Sequence, residues 1–280
     1  MQTRNPAVAG SFYPAEAGEL RQLIRDSYLH PLGPGKLPPS QETAARVVAV
    51  VAPHAGYVYS GPLAAHSYLH ASSLRKPDLI IVVAPNHYGI GSGVSAYNSG
   101  EWVTPLGRMK VDEVAAEELS KETGIVDFEP AAHQHEHSIE VQLPFLQTQY
   151  GDSVPFVPVS ISLQDLVTTK TLAAGVAKVA RTRKSVLVAS SDLTHYEPAE
   201  EAKRKDMALI SDIVKMDVES FYSTLERLNV TACGFGAIST IIQAAKILGL
   251  KRGELLKYAS SGDTTGDKSQ VVGYGSLRFV

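Results

Sequence analysis

Runs of valine and isoleucine punctuate this chain at strand length. Residues 46–52 (RVVAVVA), 78–84 (DLIIVVA), 154–160 (VPFVPVS), 185–189 (SVLVA) and 271–280 (VVGYGSLRFV) are the clearest, and several show no polar alternation. Strands that are apolar on both sides are buried on both faces, as in parallel or mixed sheets covered by helices. Between the runs, apolar positions recur at helical spacing over residues 15–30, 61–70, 111–122, 139–150, 163–181, 198–216 and 236–248. In the first of these, Leu20, Leu23, Ile24 and Leu29 mark the face turned to the core. Residues 31–43 (PLGPGKLPPSQET) carry four prolines and two glycines and read as a loop. The alternation of strands and helices predicts one α/β domain over residues 1–280, with a mixed, largely parallel central sheet flanked by helices.

Composition narrows the function. The formal net charge is −3 and no long basic block is present, which argues against a nucleic-acid binder. No apolar run approaches the ~20 residues of a membrane span, and the first twenty residues lack the apolar core of a signal peptide. Cys233 is the only cysteine, so no intramolecular disulfide can form. These features together predict a cytoplasmic protein with a reduced thiol.

Candidate chemistry sits where the strands end. The text VVAPHAGY at 50–57 nearly repeats as VVAPNHYG at 82–89, so two apolar runs each stop at a proline and present a histidine, His54 and His87. A third run ends in SSDLTH, with Asp192 and His195. Ligands of open α/β sheets bind beyond the carboxyl ends of the strands. Parallel strands would therefore gather His54, His87, Asp192 and His195 at one edge, each proline ending its ladder for want of an N–H. Cys233 precedes Gly234 and a predicted helix, a position that favours the thiolate; a small buried residue at a tight turn is the alternative.

Other polar motifs carry less. In AAHQHEHSIE, His133 and His135 read as exposed loop residues, whereas His137 and Glu140, three apart, share a helix face where a general acid or substrate-orienting group can sit. His66 and His70 read as helix-face residues without a third partner, and His30 as a helix end. Ser191 beside Asp192 and His195 lacks the glycines of a nucleophile elbow. SSGDTTGDKS at 260–269 reads as a connecting loop, with pocket cover the alternative, and Phe12, Tyr57, Tyr59 and Tyr88 are candidates to line a pocket.

Taken in order, RNPAVAGSFYP, APHAGYVYSG, APNHYG, HEHSIEVQLPF, SSDLTHY, ACGFGA and YASSGDTTGDKSQVVGYGS resemble the Memo (mediator of cell motility) family over nearly the whole chain. That family is similar in fold to class III extradiol dioxygenases, which use non-haem Fe(II). The resemblance implies that His54, His87 and Cys233 hold one metal ion, Fe(II) first, with Cu(I) and Zn(II) as alternatives. It implies further that His195, Asp192 and His137 act as catalytic residues on an oxygen-bearing aromatic or small diol substrate. A thiolate in place of the dioxygenases' carboxylate makes the site softer and weakens the case for oxygenase chemistry. The other reading is a non-catalytic adaptor that keeps the pocket for a small-molecule or peptide ligand. The AmmeMemoRadiSam label of prokaryotic members implies radical-SAM and AMMECR-type protein partners. A homo-oligomer is compatible with the sequence, although no apolar stripe marks an interface.

Overall fold

The apolar runs become strands whose alternate side chains feed two separate cores. A computed structural model describes residues 2–38 and 45–280; residues 39–43 of the proline-rich loop lie outside the described residues. In chain order the elements are β1 (Thr3–Arg4), α1 (Ala17–Leu29), β2 (Val47–Ala52), α2 (Tyr57–Ala71), β3 (Leu79–Pro85), β4 (Val94–Ala96), β5 (Glu101–Thr104), β6 (Gly107–Lys110) and α3 (Glu113–Thr123). There follow β7 (Asp127–Phe128), α4 (Leu143–Tyr150), β8 (Phe156–Ile161), α5 (Leu166–Ala180), β9 (Ser185–Ser190), β10 (His195–Glu197) and α6 (Ala199–Lys215). The last are α7 (Val218–Leu228), α8 (Phe235–Ile247), β11 (Gly253–Ser260), α9 (Ser261–Thr265) and β12 (Val271–Phe279).

The main sheet runs β10-β12-β2-β9-β3-β8-β4-β7, with β11 paired to β12. Its four central strands, β2, β9, β3 and β8, are parallel, while β12 and β4 join their edges antiparallel. The fold is thus α/β with a mixed sheet, as the pattern predicts. Val48, Val50, Ile80, Val82, Val186 and Val188 face the core covered by α1, α2 and α4. Ala49, Val51, Ile81, Val83, Leu187 and Ala189 face the core covered by α3, α5, α6, α7 and α8. Both faces are dry, which is why these strands show no polar alternation.

Some details differ from the sequence-based expectation. Pro85 does not end its ladder: it still pairs with Ile161 of β8, and only the pairing to β9 stops at Val83. The predicted helix over 139–150 begins as a 3-10 turn, Glu140–Gln142, because Pro144 stands at its first turn. Further elements lie outside the predicted runs: the short strands β1, β4, β5, β6, β7 and β10, the longer β11, and the helices α7 and α9. α7 carries Val218, Phe221 and Leu225 at helical spacing behind an Asp217 cap, and β11 is a half-buried strand paired with β12 alone. No described helix is long and apolar enough to cross a membrane.

Candidate metal centre

Because β2, β9 and β3 are parallel neighbours in that order, the loops at their carboxyl ends converge. His54 and His87 each lie two residues beyond a strand end, as does Asp192. The His54 and His87 rings stand perpendicular, 5.4 Å apart. His137 joins them, stacked on His87 at 4.8 Å and perpendicular to His54 at 5.5 Å. Cys233, 179 residues from His54 in sequence, brings Sγ to 3.1 Å from its Nε2. One nitrogen from each of His54 and His87 and the sulfur of Cys233 lie within 4.8 Å of one another.

Hydrogen bonds fix which nitrogen each histidine offers. Ser190 Oγ stands 2.9 Å from His54 Nδ1, 2.8 Å from Gln142 Nε2 and 2.7 Å from the Ser138 carbonyl. The carbonyl can only accept and the amide can only donate, so the single Ser190 proton goes to Ser138 and His54 Nδ1 must carry its own proton. The Nε2 lone pair is left facing Cys233. Gln142 is itself fixed by Tyr68, whose hydroxyl donates to Oε1 at 2.5 Å. Burial, reinforced by the neighbouring imidazoles of His137 and His87, holds His54 well below the usual histidine range, so the ring is neutral.

His87 is held differently. The fully buried Glu136 accepts from His87 Nδ1 at 2.9 Å, from His87 N at 2.7 Å and from Ser138 N at 2.9 Å. Burial opposes ionisation of Glu136, but the hydrogen bond and charge of His87 and the two backbone donors outweigh it, and the carboxyl ionises below the usual range. In return, Glu136 raises the His87 pKa against the effect of burial. A carboxylate bonded to the far nitrogen of a metal-binding imidazole is the usual support of such a ligand.

The donor set fits a metal ion: two imidazole nitrogens with fixed lone pairs and a sulfur, mutually within a first coordination shell. The trio of His87, Glu136 and His137 is equally close, but His87 Nδ1 is taken up by its bond to Glu136 Oε1, so we read that trio as the support of His87. Burial, with the Asp192 charge, pushes the Cys233 thiol far up. Desolvation thus works against the thiolate that the place before the helix would favour, and a bound cation is what would tip the sulfur toward losing its proton.

A cavity of about 850 Å³ opens over this cluster. Asp192, His195 and His137 all line it, together with Phe12, Tyr59 and Tyr274. Asp192 accepts from His54 N at 2.8 Å. Burial raises its carboxyl to about 6, against that bond and the charges of His195 and His87. His195 Nδ1 lies 3.0 Å from the Thr231 carbonyl, so Nδ1 carries the proton and Nε2 is free. The β-bulge at this point puts Tyr196 at φ +59°, where its exposed ring also lines the cavity. His137 is neutral, its pKa lowered to about 4 by burial despite the Glu136 charge.

Other candidates settle elsewhere. His133 is fully buried against Trp102 and Tyr97, not exposed, because the segment Pro130–His133 is a 3-10 turn that folds the ring inward. His135 is exposed beside Tyr88. Glu140 does not share a helix face with His137. It is buried and accepts from Arg4, Tyr13, Ala7 and Val8, which pins the N-terminal segment. Tyr57 is buried, with its hydroxyl on the Val141 carbonyl, and Tyr88 does not reach the cavity. Ser191 donates to the Asp192 carbonyl and is no nucleophile. Part of the 260–269 stretch is α9, and Ser261, Thr265 and Asp267 form the cavity's far wall. His66 bonds the Leu32 carbonyl and His70 lies against Arg278 on the α2 face.

The sequence matches the family described as Memo-like protein over residues 4–278. A MEMO1 family protein of Sulfolobus acidocaldarius is 48% identical over 281 residues, covering 99% of each chain. Another, of Methanopyrus kandleri, is 46% identical over 278 residues, covering 99% of this chain and 98% of its own. Among solved structures, an uncharacterized protein of Escherichia coli K12 aligns at a TM-score of 0.55 with 13% identity, over 83% of this chain and 99% of its own, a likeness of fold alone.

Proposed function

The chain belongs to the Memo-like family, and on that footing we propose that it is a metal-binding protein whose cavity receives a small oxygen-bearing aromatic or diol substrate for metal-dependent oxidoreduction. The observation that carries this reading is the convergence of the His54 and His87 nitrogens and the Cys233 sulfur within 4.8 Å, with both imidazoles locked by bonds to their far nitrogens. A bound ion would act as Lewis acid and electron carrier toward a substrate oxygen. Fe(II) is the reading we favour; the sulfur also suits Cu(I) and Zn(II).

The protein's own groups would handle the proton. His195 presents an Nε2 lone pair to the cavity, and the imidazolium formed when it takes a proton is stabilised at Nδ1 by the Thr231 carbonyl. Asp192, with its carboxyl near 6, accepts or returns a proton around neutrality. His137, neutral and stacked on His87, orients a substrate hydroxyl. Phe12, Tyr59 and Tyr274 supply apolar wall for a ring.

A second reading, a binding module without turnover, is favoured by the size of the cavity: about 850 Å³ is several times a single-ring diol and suits a larger ligand. Metal content after anaerobic purification tests the primary reading. Wild-type protein should hold one ion per chain and His54→Ala and Cys233→Ala little; equal content in all three removes it. Oxygen uptake with iron-loaded protein on a panel of vicinal diols separates enzyme from module.

A further inference from the structure

The loop that carries Cys233 is gripped by a side chain that the proposed function leaves unused. Gln164, between β8 and α5, accepts from Gly236 N through Oε1 at 2.7 Å and donates through Nε2 to the Cys233 carbonyl at 3.0 Å. Its own carbonyl accepts the Tyr222 hydroxyl of α7 at 2.6 Å. The glycines of ACGFGA show how tightly the loop is held. A Cβ at position 236 would stand 2.8 Å from Gln164 Cβ, and one at 234 would stand 2.3 Å from the Ser190 carbonyl oxygen. The segment is pressed between Gln164 on one side and the turn after β9 on the other, where Gly234 N donates to Ser191 Oγ at 3.0 Å.

We propose that Gln164 is a positioning residue for the metal centre: by fixing the Cys233 peptide it sets the sulfur opposite His54 Nε2. The inference rests on the metal-centre reading above. With the backbone immobile, one side-chain torsion decides where Sγ lies, and 3.1 Å from His54 Nε2 is the outcome. The loop selects an amide. It presents an N–H from Gly236 and a carbonyl from Cys233 together, and only a group that accepts and donates can meet both; a carboxylate lacks the donor and an ammonium the acceptor. Supports of metal ligands set affinity although they never touch the ion.

Gln164→Ala and Gln164→Glu, titrated with Co(II) without oxygen, test this through the sulfur-to-cobalt charge-transfer band, with chelator competition for affinity and thermal unfolding alongside. Glutamate keeps the acceptor for Gly236 N and adds negative charge at the start of α8, which favours the helix, but turns an oxygen lone pair on the Cys233 carbonyl. Both variants should weaken Co(II) binding by about tenfold and diminish the band, while Gln164→Glu unfolds close to the wild-type temperature. A wild-type band and affinity in Gln164→Ala overturns the proposal. So does a Gln164→Glu protein that regains stability and band together, since support of the helix alone would produce that. Absence of any sulfur band in the wild-type protein would instead sink the metal-centre reading, and this proposal with it.

Discussion

Ser190 donates its hydroxyl proton to the Ser138 carbonyl at 2.7 Å, and through that contact the supports of both histidines meet in one residue. On its other side the Ser138 N–H holds Glu136, the carboxylate under His87, while Ser190 holds His54. The two imidazoles, 33 positions apart in sequence (87 − 54), are thereby yoked through a single residue.

Removing that hydroxyl should loosen one ligand and leave two groups unpaired. Ser190→Ala frees His54 Nδ1 to change tautomer, strands the Ser138 carbonyl and costs Gln142 Nε2 one of its two acceptors, the Pro53 carbonyl remaining. We expect metal affinity to fall by about tenfold and stability by about 1–3 kcal/mol. Chelator competition and denaturant unfolding measure the two; unchanged affinity would show that His54 needs no such lock.

Glu136→Gln keeps the shape and removes the charge beneath His87. The His87 pKa should drop, because Glu136 is what raises it, and the ring should become a weaker donor. Histidine titration by NMR reads the first effect and metal competition the second. A His87 pKa that stays put would contradict the assigned ion pair.

Uptake of metal should release protons. Cys233 is protonated when free, its pKa pushed up by burial, and Glu136 makes His87 more basic against the effect of burial. The thiol proton must leave when the ion binds, and a more basic His87 competes with the ion for a proton in the same sense, so affinity should rise with pH. Calorimetry in buffers of differing ionisation enthalpy counts the protons; a count of zero refutes the assigned protonation states.

His195→Ala should separate chemistry from metal holding. The residue bonds Thr231 and lines the cavity, outside the ligand trio. Any turnover should fall by about 10²–10⁴-fold while metal content stays at the wild-type level. Loss of metal in this variant would place His195 in the ligand set instead.

His133 should make the fold acid-sensitive. Burial, helped by the Arg4 charge, lowers its pKa from 6.5 to about 3, so its contribution to stability is present above 6.5 and is lost as the pH falls toward 3. The full effect is on the order of a few kcal/mol at ~1.4 kcal/mol per unit. His133→Phe, a ring that fits between Trp102 and Tyr97, should flatten the stability profile between pH 6 and 4 (approximate bounds of that same window). A variant as acid-sensitive as wild type would assign the loss to other groups.

The strand ends were readable because a buried parallel strand leaves an unbroken apolar signature, and the residues just past its carboxyl end must lie at the ligand-binding edge. That logic locates His54, His87, Asp192 and His195 without coordinates. The supports are another matter. Ser190, Gln142, Glu136 and Gln164 act on partners 48 to 136 residues away, and a hydrogen bond across such a gap has no periodicity to detect. His133 misleads for a local reason: its polar neighbours read as an exposed loop, whereas residues 130–133 form a 3-10 turn that buries the ring. α7 obeys a helical pattern that the sequence does carry in Val218, Phe221 and Leu225.

The C-terminal strand bears on when the protein becomes competent during synthesis. β12 exchanges backbone bonds with the loop holding Asp192 and His195, from Leu193 N to Gly273 O and from Gly273 N to Thr194 O, each 2.8 Å. A chain still emerging from the ribosome with His54, His87 and even Cys233 already translated lacks the stave that sets this loop. The cavity wall that carries Asp192 and His195 is therefore completed only when the final strand docks, after every other lining residue has been made.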